Sequence, residues 1–173
     1  MKLARSRHTA DRPGRLTHTR PQQDVTSFND LQKRGDDAMG ETDLLAQALT
    51  LGIHVRYRPL APGLCGCYLD TGRLIVIDDA LSAPQRRCTL AHELAHARHG
   101  DHGCRGVGGG KAERRARRET ALQLIDPRAY ASAEIVYEGD VWWIAAELDV
   151  TVQVVEDYRL LLHDGGTVLG GVW

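Results

Sequence analysis

Residues 92–96 are His-Glu-Leu-Ala-His. This segment constrains the fold and chemistry of the chain most, because the apolar residues around it recur at the spacing of an α-helix. On a helix, side chains four positions apart share a face, so His92 and His96 can reach one metal ion. Glu93 lies beside the first of them, where a carboxylate can take a proton from metal-activated water. The pattern predicts that His92 and His96 bind Zn²⁺ and that Glu93 is the catalytic base.

The sequence around the motif supports a buried helix. Ser82 and Gln85 form a capping box at its start, and the helix should end near Gly100. Four neighbours of the histidines are apolar and favour burial: Leu90, Ala91, Leu94 and Ala95. Buried polar side chains need partners, and one metal ion would provide a partner for both imidazoles.

A catalytic zinc site needs a third protein ligand and an open position, and the chain offers several third ligands. His102 stands at the last position of the extended pattern HExxHxxGxxH, but His99 occupies its glycine position. The next predicted helix, residues 111–125, carries Glu113 on its inward face, whereas Glu119 lies about 120° round it. We predict Glu113 as the ligand, with Glu119 and His102 as alternatives. Glu119 can otherwise be the hydrogen-bond partner of a zinc-bound histidine.

Two further side chains near the motif, His99 and Asp101, are interpreted as solvated. The residue that stabilises the tetrahedral oxyanion stays open at this point, since the sequence does not single out one of its candidates. These are Tyr130, Tyr137, Arg98 and His99.

The order of predicted elements indicates an α+β domain over residues 41–173, with a small antiparallel sheet packed on a helical bundle. A helix from residue 42 precedes three short strands, and the turn at residues 70–72 is typical of a hairpin. The strands are predicted at residues 53–57, 65–69 and 74–77, and the later helices at 82–100, 111–125 and two or three between 128 and 163.

Residues 1–40 are polar and lack helical or strand periodicity, so we predict a disordered basic tail. Residues 1–38 carry eight Lys/Arg against five Asp/Glu. Met39 stands where the organised sequence begins and is an alternative start of the natural chain.

Composition excludes some partners. The formal net charge is −1, which gives no general attraction to nucleic acid or to an anionic membrane. No stretch approaches the about 18 apolar residues of a membrane span, and no apolar run follows the basic N-terminus as in an export signal. We therefore expect a cytoplasmic protein with free thiols at its four cysteines, Cys65, Cys67, Cys88 and Cys104.

Residues 144–160 have the spacing of a helix-turn-helix. A DNA-reading helix would present Arg, Lys, Asn or Gln, whereas residues 152–157 are mostly apolar and acidic. We interpret this segment as a helical packing unit and do not expect nucleic acid as a partner. Trp142 and Trp143, just before it, are interpreted as core residues or as a docking surface.

Three stretches resemble the ImmA/IrrE family of phage and bacterial metallopeptidases: residues 90–101, 113–125 and 145–162. The middle stretch is similar to the family's E-x-x-A pattern, which implies Glu113 as the third ligand, with Ala116 at the family's alanine. The resemblance covers roughly residues 42–163. It departs at Glu119 and Thr120, where the family often has Phe-Ala, and is there closer to the short actinobacterial phage versions.

The resemblance implies a zinc endopeptidase that cleaves a repressor-type regulator of a phage or mobile element, in the host cytoplasm if phage-encoded. The alternative is a non-catalytic, metal-containing regulator that binds DNA or a protein partner through residues 144–160. The intact Glu93 favours the enzyme, because a purely structural metal site needs no base there.

Overall fold

The computed structural model describes residues 39–101 and 110–169, with side chains up to residue 164. Three strands and six helices occupy this part of the chain. In chain order they are α1 (Glu41–Thr50), β1 (His54–Arg58), β2 (Gly66–Leu69), β3 (Leu74–Asp78), α2 (Ala83–His99), α3 (Gly110–Leu124), α4 (Pro127–Val136), α5 (Val141–Glu147) and α6 (Val152–Leu169). The α+β class predicted from the sequence is confirmed. The predicted tail, His102 and Cys104 lie outside the described residues.

The three strands form a mixed sheet in the order β1-β3-β2, so the prediction of an antiparallel sheet is wrong for one pair. Strands β2 and β3 form the expected antiparallel hairpin around residues 70–72, with Arg73 in a left-handed conformation after the turn. Strand β1 instead pairs in parallel with β3. The physical reason is that β1 and β2 are not neighbours. The segment between them lets β2 reach the far side of β3, which leaves β3 in the centre and β1 and β2 at the two edges.

Helix α2 begins and ends as its sequence predicts. The backbone amide of Ser82 donates to Gln85 Oε1 at 2.9 Å, and Pro84 lies in the first turn. At the other end Gly100 takes a left-handed conformation with φ of 62°. The helix packs on β2 and β3, and its four apolar motif neighbours are fully buried: Leu90, Ala91, Leu94 and Ala95. The sheet and α2 therefore form one side of the core.

Helices α3 to α6 complete the packing. Helix α3 lies against both α2 and α6, and it buries Ala116, Thr120 and Leu124, the face predicted to point inward. Asp157 of α6 is buried and accepts a hydrogen bond from Arg117 Nε of α3 at 2.9 Å. No helix among the described residues is long and apolar enough to cross a membrane.

The start of α2 is fixed to the C-terminal part of the chain. The buried Arg87 donates from one terminal nitrogen to the carbonyl oxygens of Leu148 (3.0 Å) and Asp149 (2.7 Å). The backbone amide of Thr151 contacts Cys88 Sγ at 3.4 Å. The turn between α5 and α6 thus contacts α2 at Arg87 and Cys88, about one helical turn before the His-Glu-x-x-His segment, and fixes that part of the helix.

The expectation of four free thiols is wrong for Cys67, which is disulfide-bonded. Cys65 and Cys88 are free. Burial raises the pKa of the Cys88 thiol, because the thiolate would lose its hydration inside the core. Cys88 is therefore a small packing residue on the buried face of the site helix itself.

Candidate metal centre

Three side chains from two helices meet at one point. His92 and His96 lie one turn apart on α2, and their Nε2 atoms are 3.1 Å from each other. Each of these nitrogens is also 3.5 Å from Oε2 of Glu113, on the first turn of α3. Among the described residues this is the one group of three or more His, Cys, Asp or Glu side chains spaced to hold a metal ion. The structure thus brings together the two histidines and the glutamate that the sequence favoured.

The spacing of these atoms fits a tetrahedral ion. Bonds of about 2.0–2.1 Å at tetrahedral angles separate ligand atoms by about 3.3–3.4 Å, close to the three distances found. Two imidazole nitrogens and one carboxylate oxygen are also a donor set of catalytic zinc sites. The residues present therefore fit a divalent metal ion with a further position open.

The environment of His92 favours the neutral, metal-binding form of its imidazole. Burial lowers the pKa of His92, and the neighbouring Glu113 carboxylate opposes that effect without cancelling it. A neutral imidazole has a free lone pair on one nitrogen, which is the form that binds a metal. His92 therefore lies ready to bind an ion without first losing a proton.

Glu93 lies on the sheet side of α2, in a buried environment formed by β2. Burial raises the pKa of its carboxyl to about 7, although nearby His96 and the backbone amide of Tyr68 act in the opposite direction. The amide of Tyr68 hydrogen-bonds the carboxylate and so holds it in one orientation. A carboxyl whose pKa lies near neutrality can both accept and return a proton.

Gly66 is the residue that lets β2 approach Glu93, and the sequence analysis missed it. A Cβ at Gly66 would lie 2.4 Å from Thr89 Cγ2 and 3.2 Å from Glu93 Cγ. A Cβ contact this short is sterically forbidden, so a larger residue would require the Thr89 side chain, the strand or the helix to move. The available signal was a glycine inside a strand, which often marks a close approach of backbone to a neighbour.

The alternative site residues have other partners. Glu119 contacts His99 Nε2 at 2.6 Å and Arg98 at 3.6 Å, on the part of α2 that follows the motif. The carboxylate that contacts His96 is instead Asp101, with Oδ2 3.0 Å from Nδ1. The interpretation of Asp101 as a solvated side chain is therefore wrong, whereas His99 is exposed, as predicted, and pairs with Glu119 at the surface.

The residues considered for oxyanion stabilisation also have contacts of their own. The Tyr130 hydroxyl is buried and accepts from Arg159 Nε at 3.0 Å, and the Tyr137 hydroxyl donates to Glu147 at 2.8 Å. Arg98 donates to Gln123 at 2.7 Å, and His99 pairs with Glu119. These contacts give no reason to assign the role to any of the four.

A helix that aims two imidazoles at a carboxylate of the following helix, with a glutamate between them, defines a class of metal-dependent peptidase domains. Within that class, the model of the IrrE N-terminal-like domain, Peptidase_M78, matches residues 48–160. The chain belongs to this family of metallopeptidases, which confirms the resemblance to ImmA/IrrE proteins. Comparisons with curated proteins and with solved structures give no match.

Proposed function

We propose that this chain is a zinc-dependent endopeptidase in which His92, His96 and Glu113 bind the metal and Glu93 is the general base. The observation that carries the proposal is the triangle of ligand atoms, with sides of 3.1, 3.5 and 3.5 Å. Glu93, which directly follows His92 in the chain, supplies the additional carboxyl group that hydrolysis requires. A site that served only to stabilise the fold would gain nothing from that group.

The protein side of the reaction follows from these positions. A bound zinc ion would lower the pKa of a water molecule and polarise the carbonyl group that the water attacks. The Glu93 carboxylate accepts a proton from that water and returns it to the amine of the leaving product. The amide of Tyr68 and the close packing at Gly66 keep the carboxylate oriented during both transfers.

The exposure of the ligands supports an extended substrate. The Glu113 side chain is 44% exposed, whereas His92 and His96 are 23% and 17% exposed. The cluster is therefore open to solvent on the side of α3, where a segment of polypeptide can reach it. The membership in a peptidase family supports the same substrate chemistry.

For the identity of the substrate, the resemblance to ImmA/IrrE proteins supports a repressor-type regulator of a phage or mobile element. Such a regulator acts on DNA, so the proposed site of action is the cytoplasm. The substrate class rests on family likeness, whereas the chemistry rests on the cluster.

The test combines metal analysis with a cleavage assay. The full chain is purified without added metal, its zinc content is measured, and it is incubated with a peptide library whose new ends are identified by mass spectrometry. We expect one zinc per chain and cleavage that falls about 10²- to 10⁴-fold in Glu93→Gln, with zinc retained. The matched control is Glu156→Gln, which makes the same change at an exposed carboxylate of α6.

Two results would contradict the proposal. One is cleavage at the parental rate by Glu93→Gln, and the other is a parent chain that holds no zinc. A non-catalytic regulator acting through residues 144–160 predicts that biological activity survives Glu93→Gln.

A further inference from the structure

The end of α2 folds back and places a carboxylate against the second histidine. Because Gly100 is left-handed, the chain reverses there, and the backbone amide of Asp101 donates to the carbonyl oxygen of His96 at 3.0 Å. The same reversal puts Asp101 Oδ2 3.0 Å from Nδ1 of the His96 ring. Asp101 is therefore bound to His96 through both its backbone and its side chain.

This contact determines which nitrogen of His96 faces the ligand cluster. A neutral imidazole carries one proton, and a carboxylate can only accept hydrogen bonds. In the neutral ring, the contact with the Asp101 carboxylate requires the proton on Nδ1 and leaves the lone pair on Nε2, the atom that faces His92 and Glu113. The ring orientation and the tautomer suited to metal binding are thus fixed by one side chain.

Arg115 holds Asp101 in turn. A terminal nitrogen of the Arg115 guanidinium lies 2.7 Å from both carboxylate oxygens of Asp101. Arg115 is on α3, two residues after Glu113, so this contact links the helix that carries two of the ligands to the helix that carries the third. The side chains are partly shielded, at 35% exposed for Arg115 and 23% for Asp101.

The two histidines differ in this respect. No hydrogen bond to Nδ1 of His92 is found among residues 39–101 and 110–164, whereas Nδ1 of His96 faces Asp101. Within the part of the chain that the structure describes, the orienting contact is therefore made to the second ligand, at the end of α2 that approaches α3.

We propose that Asp101 and Arg115 are positioning residues that set the orientation of His96 and the separation of its helix from Glu113. The inference rests on the proposed metal site. It adds two residues to that site that neither bind the ion nor touch the substrate. Because Asp101 contacts the imidazole directly and Arg115 acts through Asp101, the loss of Asp101 should weaken metal binding more than the loss of Arg115 does.

The test measures zinc affinity of the full-length chain by competition with a chromophoric chelator, so that no substrate is required. We expect zinc affinity to fall about 10- to 100-fold in Asp101→Ala, and by less in Arg115→Ala. Asp101→Asn should recover part of the loss, because its amide oxygen can still accept from Nδ1. The matched control is Glu119→Gln, which removes a charge from another α2–α3 contact, on His99 and Arg98, and should leave zinc affinity unchanged.

A second readout separates positioning from a general effect on folding. The ¹⁵N chemical shifts of His96 in the metal-free protein should report a protonated Nδ1 in the parent and a tautomer mixture in Asp101→Ala. Thermal unfolding confirms that each variant is folded. Parental zinc affinity in a folded Asp101→Ala would overturn the proposal, as would an equal loss in Glu119→Gln.

Failure of this inference can be told from failure of the proposed enzyme. If the parent and the variants bind zinc in the expected order of affinities but the parent cleaves no peptide, the positioning role of Asp101 and Arg115 is supported and the proposed endopeptidase activity is refuted. A parent chain without zinc affinity refutes both.

Discussion

Two regions of the molecule differ in how their charged side chains are arranged. One is the interface between α2 and α3, and the other is the surface of the C-terminal helices α4 to α6. At the interface, charged groups pair across the two helices, as Arg115 does with Asp101 and His99 with Glu119. Residues 126–164 instead carry nine acidic residues against two arginines, Arg128 and Arg159, although Arg159 pairs with Glu134 at 3.0 Å. Their surface also exposes Trp142 at 72% and Trp143 at 50%, so these residues are not part of the core, and the alternative interpretation as a docking surface stays a prediction.

This difference indicates a division of roles. Paired charges fix distances between helices, which a metal site needs to within a few tenths of an ångström. A surface with an excess of acidic and exposed aromatic side chains has fewer such pairs, and in soluble proteins exposed apolar patches commonly mark contact surfaces. The three proposed ligands all come from the first region, so changes there should alter the chemistry, and exposed changes in the second should not.

The largest effect is expected on zinc affinity when the proposed third ligand, Glu113, is replaced. In Glu113→Ala we expect zinc affinity to fall by more than the roughly 10- to 100-fold that a change outside the ligand set costs, because a direct ligand is lost. Glu119→Ala, on the same helix, should keep its zinc. Metal analysis after gel filtration measures both. Zinc retained in both variants would mean that the third ligand lies elsewhere.

The next effect is expected at the contact between sheet and site helix. Gly66→Ala forces β2 away from Thr89 and Glu93, and a misplaced base should lower cleavage about 10- to 100-fold while zinc affinity is nearly kept. Gly72→Ala is the matched control, since its added Cβ would meet nothing closer than 3.8 Å. Equal cleavage by the two variants would show that β2 does not position Glu93.

A smaller effect on chemistry, but a clear one on stability, is expected where the two regions are joined. Arg87→Met leaves the carbonyls of Leu148 and Asp149 without their donor and should lower the free energy of unfolding by about 2 kcal/mol. Arg86→Met, whose pair with Glu41 is partly exposed at 3.5 Å, should cost less than about 1 kcal/mol. Urea unfolding compares them, and equal losses would count against the anchor.

The smallest effect is expected on the C-terminal surface. Trp142→Ser should change the free energy of unfolding by no more than about 0.5 kcal/mol and leave cleavage of short peptides unchanged, because the side chain is mostly exposed. Ile144→Ala, at a fully buried position two residues away, should cost about 2–5 kcal/mol. A large loss in Trp142→Ser would show that this surface is part of the core after all.

Much of the site could be predicted because its determinants are local. His92, Glu93 and His96 share one helix, whose start at Ser82 and end at Gly100 are encoded within a few residues. The inward face of α3 could be read from helical geometry, which placed Glu113 beside Ala116 and Thr120.

The missed features depend on contacts between distant segments. The parallel pairing of β1 with β3 depends on how the chain crosses the sheet, which strand patterns do not encode. The role of Gly66 depends on Thr89, more than twenty residues later, and the role of Asp101 depends on Arg115 of the next helix. Sequence spacing gives the face of a helix, but not which neighbour packs on it.

The anchor at Arg87 also has a consequence for the order in which the site is made. All three ligand residues have been synthesised by residue 113, but the carbonyls that hold Arg87 lie 61 and 62 residues beyond it in the chain. During synthesis the ligands therefore exist before the contacts that fix the start of their helix. The described structure of the site helix thus includes contacts that span more than sixty residues of sequence, and we expect these non-local contacts to form late in folding.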